Sequence, residues 1–468
     1  MYTNTKCAVR IGKKHTEFFH QNRGVRQGCS LSPTLFNIYI NELAKTLEQS
    51  TTPGVPLADT EVKCLLFADD LVLLSPTKEG LQQHLDLLHK FSQTWALSVN
   101  LAKTKVMIFQ KRQSHPNQQF VLNKTPLEHT KNYTYLGLNI SSTGNFNKAA
   151  NDLREKARRA FYAIKRNIKL DIPIQIWLKI LDSVIEPISL YGCEIWGPLT
   201  NQEPEKWDKH QTETLHTELC KSILRTQRKT TNNACRAELG RYPLIIKIKK
   251  RAFKFHEHLK DSNPDTFHNK ALNHGENLQG CPLSQLVQGL YTQTPAQPPE
   301  GKSPGLNQIR KQKESYLAHW KETTQNQSKM ECYLSLKREY TLAEYLSTVK
   351  DPKLRKALTR YRLSDHSLAI EKGRHRQTPL PREDRLCTHC TQNVVETELH
   401  FLTTCPLYQD IRDTYFPQIT HVQREFETMT NDGKLPYLLG EIQQCANTAA
   451  KFVNCCDQRR LANGIQAP

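Results

Sequence analysis

Val62–Ser75 reads VKCLLFADDLVLLS, and this stretch decides the fold. Two apolar runs of strand length flank a pair of aspartates, the pattern of a β-hairpin with Asp69 and Asp70 at its tip. Aspartates are ordinary turn formers, and that alone would place them there. The flanking residues Leu65, Leu66, Phe67, Leu71, Val72, Leu73 and Leu74 are apolar at almost every position, which predicts strands buried on both faces. Two carboxylates at the tip of a buried hairpin repel each other unless a cation lies between them. Mg2+ suits that place, because it binds through one or two carboxylates and completes its shell with substrate phosphates. Asp69 and Asp70 are therefore candidate Mg2+ ligands for phosphoryl transfer, a chemistry that holds two ions roughly 3.5–4 Å apart.

Upstream, GVRQGCSLSPTLFNIYIN (Gly24–Asn41) is a glycine-bearing loop that feeds a helix. Ser32 and Pro33 predict the helix start, a hydroxyl cap followed by proline in the first turn. Leu35, Phe36, Tyr39, Leu43 and Leu47 then follow a helical spacing. Gly28 allows the backbone close approach to a ligand, and the helix N-terminus offers free N–H groups to phosphate. Downstream of the hairpin, Leu81, Leu85, Leu88, Phe91 and Trp95 share one helical face from Glu79 onward. Strand candidates follow at Lys105–Phe109 and around Tyr133–Ile140, so the fold class expected here is α+β.

From Asn147 to His258 the pattern is helical. Leu153, Ala157, Ala160, Phe161, Ile164 and Ile168 form a stripe on a helix that also carries Arg154, Lys156, Arg158, Arg159, Lys165, Arg166 and Lys169. A second helix, Ile174–Ile185, is expected to turn Trp177, Leu181 and Val184 inward. Between Lys221 and Lys254 stand eleven Lys or Arg and one acid, Glu238, and this density predicts a surface that tracks a phosphate backbone. The balance of the whole chain agrees: 65 Lys and Arg against 46 Asp and Glu give a formal charge of +19, which favours a polyanionic partner. Residues 261–312 turn polar and breaker-rich and read as a linker, most clearly TQTPAQPPEGKSPG (Thr292–Gly305). The chain thus divides into 1–146, 147–260, the linker 261–312, and a mostly helical region 313–468.

Near the C-terminus Cys387, Cys390, His400 and Cys405 are spaced C-x2-C-x9-H-x4-C. Three thiols and an imidazole at this spacing match a closed tetrahedral Zn2+ site, with His389 as a weaker fifth choice. The fourteen cysteines otherwise show no framework spacing, which predicts free thiols in a reducing, intracellular setting, nuclear or cytoplasmic. No stretch reaches the roughly 20 apolar residues that span a bilayer, so no membrane partner is expected. KIKKRAFK (Lys247–Lys254) suits nuclear import and a backbone-binding helix equally well.

QGCSLSP, FADD, SVNLAKTKVMIF and YLGLNI, in this order and with compatible gaps, resemble the consecutive polymerase motifs of non-LTR (LINE-type) retrotransposon reverse transcriptases. The resemblance implies a partial palm over 1–146, a helical thumb over 147–260, and a CCHC zinc knuckle in a region gripping template RNA or target DNA. It implies that Asp69 binds both catalytic Mg2+ ions with Asp70 as its neighbour, and that Lys103 assists departure of pyrophosphate. Arg26, Gln27 and Gly28 would contact the incoming nucleotide and template, and Tyr135, Leu136 and Gly137 would grip the primer end. YGCEIWG (Tyr191–Gly197) matches a thumb pattern in which Trp196 serves packing. The implied partners are an RNA template, a DNA primer or target, and deoxynucleotides. The family has a further aspartate upstream of the glycine loop, whereas Met1–Asn41 contains no aspartate and only one acid, Glu17, a poor substitute. The expectation is a chain that begins inside the polymerase domain, at an internal methionine or in a degenerate copy, and that binds nucleic acid without polymerising. The alternative is a non-catalytic RNA- or DNA-binding protein derived from a retroelement. A domesticated interaction protein with no nucleic-acid role would show binding insensitive to salt.

Overall fold

The computed structural model describes residues 5–21, 24–109, 119–168, 171–200, 207–278, 281–292 and 304–464. It divides into two compact units, Met1–Asn145 with Leu259–Cys281, and Phe146–His258 with Pro282–Pro468. The first mixes helices with short strand pairs and the second is helical among the described residues, an α+β chain taken as a whole.

The core of the first unit forms where helix Ser32–Glu48 meets helix Lys78–Thr94. Leu43 and Leu47 pack with Leu85, Leu88 and Phe91, joined by Val106, Phe120, Leu122 and Leu127. Each such burial stabilises by about 1.5–3 kcal/mol. The Thr77 hydroxyl accepts from the Gly80 N–H at 3.1 Å and caps the second helix. Trp95, expected on the inner face, stands at the helix end, partly exposed and stacked on Phe91 at 5.5 Å. The first helix starts at Ser32 with Pro33 in its first turn, but Ser32 does not cap it: its Oγ donates to the Arg26 carbonyl at 2.6 Å instead.

Strands Cys64–Phe67 and Asp70–Leu73 pair antiparallel, with Phe67 opposite Asp70. Cys64, Leu71 and Leu73 pack on the helical core. The other face is open, with Leu65 40% and Phe67 61% exposed. Burial on both faces was therefore the wrong expectation. The pair is a ribbon of two strands with a layer on one side only, and side-chain alternation sends every second apolar residue outward. The strand expected at Lys105–Phe109 shortens to Lys105–Val106, pairing parallel with Glu128–His129. Asn132–Tyr135 and Leu138–Ser141 form a second hairpin, as the sequence suggested. Within the stretch read as a linker, helix Phe267–Asn277 belongs to this unit: Lys270 pairs with Asp59 at 3.1 Å and His274 Nδ1 accepts from the Ala58 N–H at 3.2 Å. Helix Pro282–Thr292 belongs to the second unit. Residues 293–303 of the proline-rich segment, and Lys169, lie outside the described residues.

In the second unit, helix Asn147–Asn167 buries Leu153, Ala157 and Phe161, while Ala160, Ile164 and Ile168 are half-buried. The helix from Ile174 widens into a π-helical turn over Leu181–Ile185. The extra residue per turn rotates the buried face, so Leu181 stays inside whereas Val184 is exposed, contrary to expectation. Trp196 is fully buried and donates Nε1–H to the Tyr191 carbonyl at 2.9 Å, so it packs as expected.

The basic run 221–254 is only partly a surface. Arg236 is buried and reaches Asp208 at 2.7 Å and Glu213 at 2.8 Å. Arg241 and Lys247 both engage Asp182 and Glu186. Lys249 is buried against the Gln312 side chain at 3.1 Å. Glu213 itself accepts from Trp207 Nε1, His216 Nδ1, Arg236 Nη1 and the Leu244 N–H. Burial alone would raise its pKa, but His216 and Arg236 hold it down to about 2. Glu238, the one acid in the run, is buried against Arg362 at 2.6 Å. These cations neutralise internal carboxylates, so the charge count overstated what a backbone could meet. Arg225, Arg228, Lys229, Lys250 and Lys254 remain exposed. No helix among the described residues is long and apolar enough to cross a membrane.

Candidate functional site

The hairpin tip turns in two residues, Ala68 and Asp69, and Ala68 sits at φ 50°. A hairpin turn of this length needs positive φ to match strand twist, and an L-residue there costs about 1–2 kcal/mol. Asp69 and Asp70 are both exposed, and Asp70 lies across from Phe67 on the open face. Among the described residues no histidine, cysteine or third acid joins them in a metal-sized group, and Glu17, itself exposed, does not.

Tyr135 lies within electrostatic reach of Asp70. It ends strand Asn132–Tyr135, and Leu136 and Gly137 make the turn with φ 46° and 81°. Burial raises the Tyr135 hydroxyl above its usual pKa, and the nearby Asp70 carboxylate adds to the shift. The glycine loop is exposed at Arg26, Gln27 and Gly28. Gly28 has φ 82°, where a side chain is strained, and a Cβ there would meet nothing within 4 Å, so the backbone is open to a ligand. Arg26 Nη2 donates to Thr5 Oγ1 at 3.3 Å. Lys103 stands exposed in a turn held by its own N–H, which donates to the Asn100 carbonyl at 3.1 Å and to Asn100 Oδ1 at 3.2 Å.

The second cluster is closed. The donor atoms of Cys387, Cys390, His400 and Cys405 lie within 4.8 Å of one another. Cys390 Sγ is 3.5 Å from His400 Nε2, close to the separation of about 3.6 Å expected between S and N ligands around zinc. His389 is not in the group. The Leu386–Val395 bridge makes the first turn, and a π-helical turn over His400–Thr404 delivers the second pair of ligands. Burial pushes the Cys387 thiol up to about 12 and lowers the His400 imidazole below its usual range. This donor set fits a structural metal: three sulfurs and one nitrogen, mostly shielded from water.

Three residues of this site escaped the sequence reading. Thr404 Oγ1 lies 2.9 Å from His400 Nδ1, which leaves Nε2 for the cluster. Its signal was the i,i+4 spacing from His400, which is common to many Thr residues. Glu396 lies 3.9 Å from Cys387 Sγ and is clamped by Arg460, whose Nη2 donates to Glu396 Oε2 at 3.0 Å. A sequence separation of 64 between that pair left no local signal.

Residues 1–140 match the family model described as reverse transcriptase (RNA-dependent DNA polymerase). The RNA-directed DNA polymerase from mobile element jockey of Drosophila melanogaster is 26% identical over 203 residues, 41% of this chain and 21% of the relative. The Pol polyprotein from retrotransposable element R2 of Nasonia vitripennis is 31% identical over 156 residues, 31% of this chain and 15% of the relative. The probable RNA-directed DNA polymerase from transposon X-element of D. melanogaster is 20% identical over 265 residues, 54% of this chain and 27% of the relative. The chain thus spans between about a seventh and a quarter of the length of these relatives. The motif order, the hairpin and these matches agree: residues 1–140 are similar to the reverse transcriptases of non-LTR retrotransposons.

Proposed function

We propose that residues 1–140 derive from an RNA-templated DNA polymerase site, in which a primer 3′-hydroxyl attacks a deoxynucleotide α-phosphate and pyrophosphate leaves. The observation that carries this is the exposed acid pair at a hairpin tip with Tyr135 in electrostatic reach, inside the matched segment. Asp69, with Asp70 beside it, is the Mg2+ ligand of this reading. Bound Mg2+ would supply charge neutralisation at the attacking and leaving oxygens. Tyr135, Leu136 and Gly137 hold the primer end, Gly28 leaves its backbone open to the nucleotide, and Arg26 and Gln27 contact the nucleotide or template. Lys103 protonates departing pyrophosphate. RNA template and DNA primer are the partners, and most of the acceleration comes from positioning and electrostatics.

Two acids make an incomplete cage, so these 468 residues alone are expected to bind RNA without extending a primer. Mg2+-dependent extension of a DNA primer on an RNA template, with Asp69→Ala in parallel, tests both points. Extension lost in the variant establishes the site and removes the expectation of inactivity. No extension, with salt-sensitive RNA binding, leaves the second reading, a retroelement-derived nucleic-acid binder. Extension that survives Asp69→Ala overturns the assignment of the site. At the C-terminal cluster, Cys387, Cys390, His400 and Cys405 hold Zn2+ in a structural knuckle, on the observation that four donor atoms of the right chemistry converge.

A further inference from the structure

Five cations of the second unit converge from three stretches far apart in sequence, with the His375 imidazole among them: Lys221, Arg228 and Lys229; Lys329; and Arg374. One buried carboxylate, Glu371, gathers two of them, with Arg374 Nε at 2.8 Å and Lys329 Nζ at 3.6 Å, and the His375 Nε2 lies 3.9 Å away. Lys221 Nζ donates to the Arg228 carbonyl at 2.7 Å and ties the loop to helix Gln211–Leu224. The groups feel one another. Burial first, then Lys229, Lys329 and Arg374, lower the His375 imidazole below its usual range, although Glu371 opposes. Burial likewise lowers Lys221, with Lys329 and Arg228 adding to it and Cys235 and Asp365 opposing. The acids, Glu371 and Asp365, are both buried beneath the cations.

The platform is rigid. The Gln227 N–H donates to Asp365 Oδ2 at 2.9 Å, and Ser364 Oγ donates to the Lys329 carbonyl at 2.9 Å. Arg374 Nη1 donates to Ser328 Oγ at 2.7 Å. Gly373 is pressed on Arg385, where an added Cβ would meet Cγ at 2.6 Å, and Arg385 Nε donates to the Leu380 carbonyl at 3.0 Å. Arg228, Lys229 and His375 stand exposed on this base. Like charges held this close destabilise the free chain, and such violations of local electrostatics mark functional surfaces. Five cations over the two acids Glu371 and Asp365 leave a positive excess that a polyanion can meet. The cations spread over three segments rather than lining one pocket, which fits a chain of phosphates better than a single anion.

We infer that this surface of the second unit binds the phosphate backbone of RNA independently of sequence. The inference rests on the nucleic-acid reading above and adds a location to it. The test uses the full chain, two unrelated RNAs of equal length, and affinities measured over a range of salt. Arg228→Gln with Lys229→Gln is compared with Lys156→Gln plus Arg166→Gln on helix Asn147–Asn167, all four exposed. The first pair is expected to weaken both RNAs by the same factor and to lower the slope of log affinity against log salt by about 1.4, from about 0.7 per phosphate contact. Arginine at 228 restored with Lys229→Arg should recover the slope. An unchanged slope in the first pair with a lowered one in the second overturns the inference and leaves the nucleic-acid reading intact. Wild-type affinity indifferent to salt overturns both.

Discussion

Cys387, Cys390, His400 and Cys405 hold their donor atoms within 4.8 Å of one another in a mostly buried nest, whereas Asp69 and Asp70 stand exposed on a ribbon of two strands. The first site is assembled from one stretch of chain and braced by the rest of its unit: Arg412 Nη2 donates to the Cys405 carbonyl at 2.6 Å, and the Phe401 ring stacks on Tyr361 at 4.8 Å. The second has a strained turn and open space around it. A structural metal site has to be closed on all sides by its own protein. A site for exchanging substrates has to keep positions open, so the protein supplies fewer partners and less rigidity there.

This contrast breaks if the two sites respond alike to mutation. The largest effect is expected for Cys405→Ser: zinc content by mass spectrometry falls from one equivalent to none, and the unit loses its cooperative unfolding transition. Structural zinc is worth about 10–16 kcal/mol in small domains. A variant that keeps its zinc would remove the cluster from the comparison. Next comes Glu396→Ala, which leaves the buried Arg460 guanidinium without its carboxylate. Denaturant unfolding should show a loss of about 3–5 kcal/mol. A change below 1 kcal/mol, to order of magnitude, would mean the clamp is ornamental. Thr404→Val removes the partner of His400 Nδ1, and competition with a chelator should show zinc held 10–100-fold more weakly, to order of magnitude, with Thr404→Ser close to wild type.

At the hairpin the effects shrink. Ala68→Gly relieves the φ 50° turn and should stabilise the first unit by about 1 kcal/mol in urea. Asp69→Ala should move stability by no more than about 0.5 kcal/mol, because the side chain is exposed. A larger loss there would show that Asp69 holds the fold together, and the distinction between the two sites would fail.

The same contrast explains what the sequence could show. The cysteine cluster was legible because its four donor residues sit within 19 residues, at a spacing that lets their donor atoms converge. The hairpin was legible from its turn and its apolar arms, but not the exposure of Leu65 and Phe67: composition cannot say how many layers cover a sheet. The basic run misled for a related reason. Whether Arg236 meets water or Glu213 depends on a carboxylate 23 residues away, and Arg241 on one 55 residues away. Val184 was misplaced by a π-helical turn, which shifts helical phase without any signature in residue type.

The open face of the hairpin bears on how this protein behaves in a tube. Among the described residues neither strand has a second neighbour, so both edges present unpaired N–H and C=O groups beside an exposed Phe67. Such an edge adds strands from other molecules. Lowering the protein concentration, rather than raising the salt, should be what keeps the first unit monodisperse.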